Sequence, residues 1–145
     1  MKKLLLAVLF LGIFFILGCA QTAQYDAKAD FGQEFKLKMG QTASIHAEKI
    51  SSKSVKITFL NVTQDSRCPA DVQCIWRGAA TISVAVSEDS KSLGEFEVSD
   101  FDQLGYNSTV KAGKYYITLL NIEPLPDTTK EIKLSDYVAT MVVKV

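Results

Sequence analysis

Two cysteines, both arginines and the single tryptophan of this chain fall within fourteen residues, Asp65 to Gly78 (Asp-Ser-Arg-Cys-Pro-Ala-Asp-Val-Gln-Cys-Ile-Trp-Arg-Gly). Cys68 and Cys74 can close a disulfide, or act as thiolates toward a metal or an electrophile. Arg67 and Arg77 carry planar guanidinium forks that hold a carboxylate through two hydrogen bonds, and Asp65 and Asp71 lie beside them in sequence. Zinc takes four ligands, and the sole histidine, His46, is far away in the chain. A serine nucleophile needs an oriented base and a carboxylate behind it. His46 is the single base of that type, and no nucleophile-elbow motif occurs. Asp100, Asp102 and Asn107 offer oxygen ligands for calcium without EF-hand spacing, and read as a solvated loop. Glu95 and Glu97 share one face of a predicted strand and read as an outward polar face. The expectation is a chain with no catalytic residue, metal site or cofactor.

The compartment decides between the cysteine chemistries. Met1-Lys2-Lys3 precedes an apolar run from Leu4 to Leu17, the pattern of an export signal. The run is short of the roughly 20 apolar residues that span a bilayer. It ends in Ile16-Leu17-Gly18-Cys19, which resembles the bacterial lipobox. That resemblance implies cleavage after Gly18 and acylation of Cys19. Ala20, by resemblance to sorting rules, points to the outer membrane. Several acyl chains anchor stably where one is marginal. Cys68 and Cys74 then remain as an even pair in an oxidising compartment, which favours a disulfide over a metal site. Basic and acidic residues both number 16; losing Lys2 and Lys3 takes the basic count to 14 and the mature charge to −2. No basic face for nucleic acid is evident.

The loop then supports two readings. In the structural one, the disulfide and Pro69 fix a crossover, Trp76 plugs one end of the core, and Asp65 or Asp71 pairs with Arg67 or Arg77. In the functional one, a rigid loop presents Arg67, Asp71, Gln73, Trp76 and Arg77 to a partner, since aromatic residues and arginine dominate binding hot spots. The stretch resembles a group of small bacterial lipoproteins and exported proteins with the signature Asp-x-Arg-Cys-Pro-x-x-Val-x-Cys-x-Trp-x-Gly. Asp65, Arg67, Cys68, Pro69, Val72, Cys74, Trp76 and Gly78 carry the match. Segments from Tyr116 to Pro126 and from Asp136 onward are similar too. The resemblance implies an exported β-domain and brings no activity with it. Relatives often have alanine where this chain has Arg77.

The elements that must hold this loop are strands. Residues 1–18 are the signal, 19–31 a polar tether and 32–145 one domain, large enough for one core. Phe35, Leu37 and Met39 alternate with charged residues; Ala43, Ile45 and Ala47 do so on a second strand; Ser51-Ser52-Lys53 reads as a turn. Val55, Ile57 and Phe59 face inward until the apolar phase shifts at Leu60 and Val62, which signals a β-bulge or a strand buried on both faces. Ile82, Val84 and Val86 form a long strand, and Glu88 to Lys91 a hairpin turn. Further strands follow at Leu93–Val98, Thr109–Lys111 and Lys114–Ile122. A last strand runs from Asp136, with Tyr137, Ala139, Met141, Val143 and Val145 in phase. Seven or eight strands separated by turn signals predict an all-β, mostly antiparallel sandwich, with a partly open barrel as the alternative. The expected function is that of a non-catalytic envelope lipoprotein held to the membrane by Cys19, with an envelope protein or peptidoglycan as partner. A protease-inhibitor-like β-domain and a carboxylate hydrolase acting on cell-wall or sugar substrates are the alternatives. For the hydrolase, two carboxyls must share a cleft.

Overall fold

Period-two alternation places one face of each strand in a shared interior, and two such faces make the core. A computed structural model describes residues 27–47, 51–103 and 105–145. The expected signal over 1–18, Cys19 and the expected tether up to residue 26 lie outside the described residues. The strands are β1 (Ala27–Asp30), β2 (Glu34–Lys38), β3 (Thr42–Ala47), β4 (Ser51–Asp65), β5 (Ala80–Glu88), β6 (Lys91–Ser99), β7 (Thr109–Ala112), β8 (Tyr115–Glu123) and β9 (Val138–Lys144). They form a five-stranded sheet in the order β1-β3-β4-β5-β6 and a four-stranded sheet in the order β2-β9-β8-β7. Two sheets without closure make this a β-sandwich rather than a barrel. No helix among the described residues is long and apolar enough to cross a membrane.

The inner faces interleave Leu37, Ile45, Val55, Ile57, Phe59, Ile82, Val84, Ile117, Ile122 and Met141, all fully buried. Their spacing is the alternation of the sequence, and burying each such side chain stabilises by about 1.5–3 kcal/mol relative to exposure. The phase change in β4 is a bulged register: pairing with β5 shifts between Phe59 and Asn61 and again between Val62 and Gln64. Each shift adds a residue to one strand, strengthens its twist and turns β4 away from the flat sheet as it nears its end.

Three sequence expectations need correction. Nine strands are described rather than seven or eight. Ser51 to Lys53 do not turn; they begin β4, with Ser51 opposite Ala47. The tether reading of 19–31 also reaches too far, because Ala27 to Asp30 pair in parallel with Ala43 to His46. A four-residue strand of Ala-Lys-Ala-Asp has almost no pattern of its own; it is a strand because the edge of β3 offers unpaired amides and carbonyls. β9 departs from simple alternation: Thr140 and Val142 are buried as well as Ala139, Met141 and Val143, while Val145 is exposed. It is an interior strand between β2 and β8, so its outer face has neighbours on both sides.

Phe59 is the largest fully buried side chain in the core. Phe59→Ala should lower the unfolding free energy by about 3–5 kcal/mol in urea titrations; a loss below about 1 kcal/mol would place the ring outside the load of the core.

Candidate functional site

The chain leaves β4 at Asp65 and returns in β5 at Ala80, and the cysteine stretch is the excursion between them. Two further ladder bonds carry the hairpin outward, from Ser66 N–H to the Ala79 carbonyl (2.9 Å) and from Cys68 N–H to the Arg77 carbonyl (2.8 Å). Cys68 and Cys74 are joined by a disulfide across a Cα–Cα distance of 5.9 Å. Closing so short a loop stabilises by roughly 2–2.5 kcal/mol on the chain-entropy model. Gly78 sits at φ +71°, and a Cβ there would lie 1.9 Å from the Ser66 carbonyl oxygen. Only glycine fits, because the two legs of the loop touch backbone to backbone.

Arg67 is buried, with 5% of its surface exposed. Its Nε donates to Asp65 Oδ1 (2.9 Å) and its Nη2 to Asp65 Oδ2 (2.7 Å). The remaining fork reaches across to the other sheet, donating to the carbonyls of Ile122 and Pro124 at the end of β8. Tyr137 Oη, just before β9, donates to Asp65 Oδ2 at 3.0 Å. Burial by itself pushes the Asp65 carboxyl up. The hydrogen bonds and charge of Arg67, with the Tyr137 hydroxyl, outweigh it and hold the group below its ordinary 3.8. Burial likewise pulls Arg67 down, and Asp65 more than restores it. Tyr137 is raised by burial and then by Asp65.

The loop is braced on its other flank by the 126–130 turn. Ala70 N–H donates to the Pro126 carbonyl (2.8 Å), and the Asp71 carboxylate accepts from Thr128 N–H (3.0 Å) and the Thr128 hydroxyl. Asp127 accepts from the Thr129 hydroxyl and amide and pairs with Lys130, which brings it to about 2. Arg77 is exposed but not loose. Its guanidinium lies 4.4 Å above the Phe101 ring and 3.6 Å from Asp100 Oδ2, while Asp100 Oδ1 accepts from Ala80 N–H. On this foundation the outer turn holds apolar groups in water: Ile75 is fully exposed, Trp76 is 51% exposed and Val72 47% exposed, with Leu125 of the neighbouring turn at 57%. Trp76 packs loosely on Tyr106, 6.5 Å between centroids at a 42° tilt.

The sequence expectations divide accordingly. Cys68 and Cys74 pair, and Asp65 takes Arg67 while Asp71 does not take either arginine. Arg67 is not presented to a partner, because its fork is consumed by Asp65 and two carbonyls inside the protein. Trp76 does not plug the core; the disulfide turn holds it outside. Asp71, Gln73, Trp76 and Arg77 are exposed on the loop. Ile75 is absent from the residues that the sequence marks for the site, although an isoleucine fixed directly after a cysteine of so short a disulfide loop has little freedom to reach the core. Asp100 and Asp102 do not converge: Asp102 accepts from Ser108 N–H and Oγ, each at 2.6 Å. No group of three or more His, Cys, Asp or Glu suited to a metal occurs among the described residues. His46 Nε2 lies 3.0 Å from Ser44 Oγ, but Ser44 is 1% exposed and out of reach of a substrate. One groove of about 310 Å³, between β4, β6 and the 99–108 connection, contains Glu97; another of about 250 Å³, beneath the loop, contains Asp100. Each has a single carboxylate, so neither brings together the pair that glycoside hydrolysis needs.

The Asp65–Arg67 pair carries a pH signature. Its folded-state value lies below 3.8, so its contribution is complete above that pH and is lost as pH falls through the folded value. Asp65→Asn should cost about 3–5 kcal/mol at neutral pH by leaving Arg67 uncompensated. In paired urea melts the gap to the wild type should close as pH falls below 3.8; a gap constant with pH would remove the ionic account. Gly78→Ala should cost about 3 kcal/mol or more, from a positive φ and a backbone clash together; a thermal midpoint equal to wild type would show that the loop legs can separate freely.

Comparison with protein-family models, with curated proteins and with solved structures finds no match to the chain.

Proposed function

We propose that this protein is a non-catalytic, lipid-anchored domain of the cell envelope that works by contact through its 66–79 loop. The lipobox-like Ile16-Leu17-Gly18-Cys19, the polar tether and the signature resemblance of Asp65–Gly78 support the address. The contact role rests on one observation: Ile75 and Trp76 stand in water on a foundation that holds them there. A connection between two antiparallel strands needs as few as about two residues. This one is longer, and its disulfide, its close glycine contact and its buried ion pair fix the position of the turn. A buried ion pair is a weak source of net stability compared with apolar residues of the same volume, but it is demanding about geometry. A partner offering an apolar surface therefore meets side chains already ordered, which lowers the entropy lost on contact. Gln73 and Arg77 flank that surface with polar groups, the usual rim of an interface.

A photo-crosslinking residue at position 75 tests this in intact cells. It should give adducts with an envelope component, whereas the same residue at Lys111, on the opposite sheet, should not. Equal labelling at both positions, or none at 75, would refute the contact surface. Ile75→Ala with Trp76→Ala should meanwhile leave stability within about 0.5 kcal/mol of wild type, as for exposed positions generally.

A further inference from the structure

We infer that the partner of the loop is the bilayer itself: Ile75 and Trp76, with Val72 and Leu125 beside them, enter the interfacial layer of the membrane that holds acylated Cys19. The inference rests on the reading above, that Cys19 is acylated and that the loop is the contact surface.

The topology sets the direction. Ala27 lies opposite Ala43, and Ala43 opposite Ile57 in β4. β1 is parallel to β3, and β3 is antiparallel to β4, so β1 runs away from the loop. The N-terminal end of β1, at Ala27, therefore faces the loop end of the sheet. The lengths agree. Eight residue steps lead from Cys19 to Ala27 and span about 26–29 Å if extended. Eleven steps lead from Ile57 to Cys68, which pairs with Arg77 beside Trp76; at about 3.3 Å each they rise at most about 36 Å, and the two bulges of β4 take up about two of those steps. The acylated cysteine and the loop can thus reach one plane without the tether doubling back.

The side chains at that end suit a bilayer. Of the nine large apolar residues exposed among the described residues, Val72, Ile75, Trp76, Leu125 and Leu134 belong to the loop, the turn after β8 and the approach to β9. Tryptophan favours the membrane–water boundary, where its apolar ring and N–H meet different surroundings. The opposite end presents the Glu88–Lys91 hairpin and Lys114. Of the charges near the loop, Asp65 is met by Arg67, Asp100 by Arg77 and Asp127 by Lys130, while the Asp71 carboxylate accepts from the amide and hydroxyl of Thr128. No anionic lipid is needed to neutralise them, so entry into zwitterionic lipid is expected, with little dependence on salt.

Trp76 is the only tryptophan and reports its own environment. The full chain is reconstituted into phosphatidylcholine vesicles with and without brominated acyl chains, and mass spectrometry establishes acylation of Cys19. Trp76 emission should shift to shorter wavelength and lose about half its intensity to brominated lipid, as for a ring about 5–10 Å into the headgroup–acyl boundary. Ile75→Asp should abolish both effects while the protein stays on the vesicles. Unquenched emission from acylated, vesicle-bound protein would overturn the inference. A protein adduct at position 75 with unquenched Trp76 would preserve the contact surface and reject the bilayer as its partner. An unacylated Cys19 would refute the anchor and this inference with it.

Discussion

The guanidinium of Arg67 is the point on which the loop end of this protein depends. It joins the last residue of β4 to the carbonyls of Ile122 and Pro124 at the end of β8, and through the shared carboxylate of Asp65 it takes in Tyr137 before β9. Between the inner faces the two sheets meet through apolar side chains that touch without direction, and at the opposite end Tyr115 Oη donates to Glu88 across the sheets at 2.6 Å. A hydrophobic face resists separation but tolerates sliding, since apolar contact has no preferred angle. A bidentate ion pair with two carbonyl acceptors does have preferred angles. At this end the sheets are therefore registered against each other by directional bonds, and the disulfide loop is built outward from the registered point.

That arrangement separates two tasks within a short stretch of sequence. Residues on the inner half, Asp65, Ser66, Arg67 and Gly78, are fixed by backbone and buried side-chain bonds. Residues on the outer half, from Val72 to Trp76, have large side chains in water. The disulfide between Cys68 and Cys74 ties the two legs together, with Val72 in the turn that it closes and Ile75 and Trp76 on the return leg directly after it.

Much of the fold was legible because alternation is a local signal. Val55, Ile57 and Phe59 gave both a strand and its inward face, and the break at Leu60 gave the bulge that the register shows. β1 was not legible, because Ala-Lys-Ala-Asp is placed by the vacant edge of β3 rather than by its own pattern. Of the site, the cysteine pairing followed from the count and the compartment. The fate of Arg67 did not follow, since Ile122, Pro124 and Tyr137 lie 55, 57 and 72 residues from the groups they meet. Local sequence shows two arginines with neighbouring aspartates and no means to say which is buried. Trp76 was misassigned for a related reason: its size argues for the core, and only the geometry of the closed loop argues against it.

The four outer strands of the sandwich have a consequence of their own. β1 and β7 are four residues long, and β2 is five. β1 carries Lys28, β2 carries Lys36 and Lys38, and β7 carries Lys111. The longer β6 is interrupted by a register shift and by Gly94 at φ +122°. Short length, lysine and irregularity each discourage a foreign strand from adding to an open edge. The molecule is thus guarded against sideways growth into sheets shared between copies. Crowding such chains side by side would bring together edges that do not match, leaving each copy a separate unit.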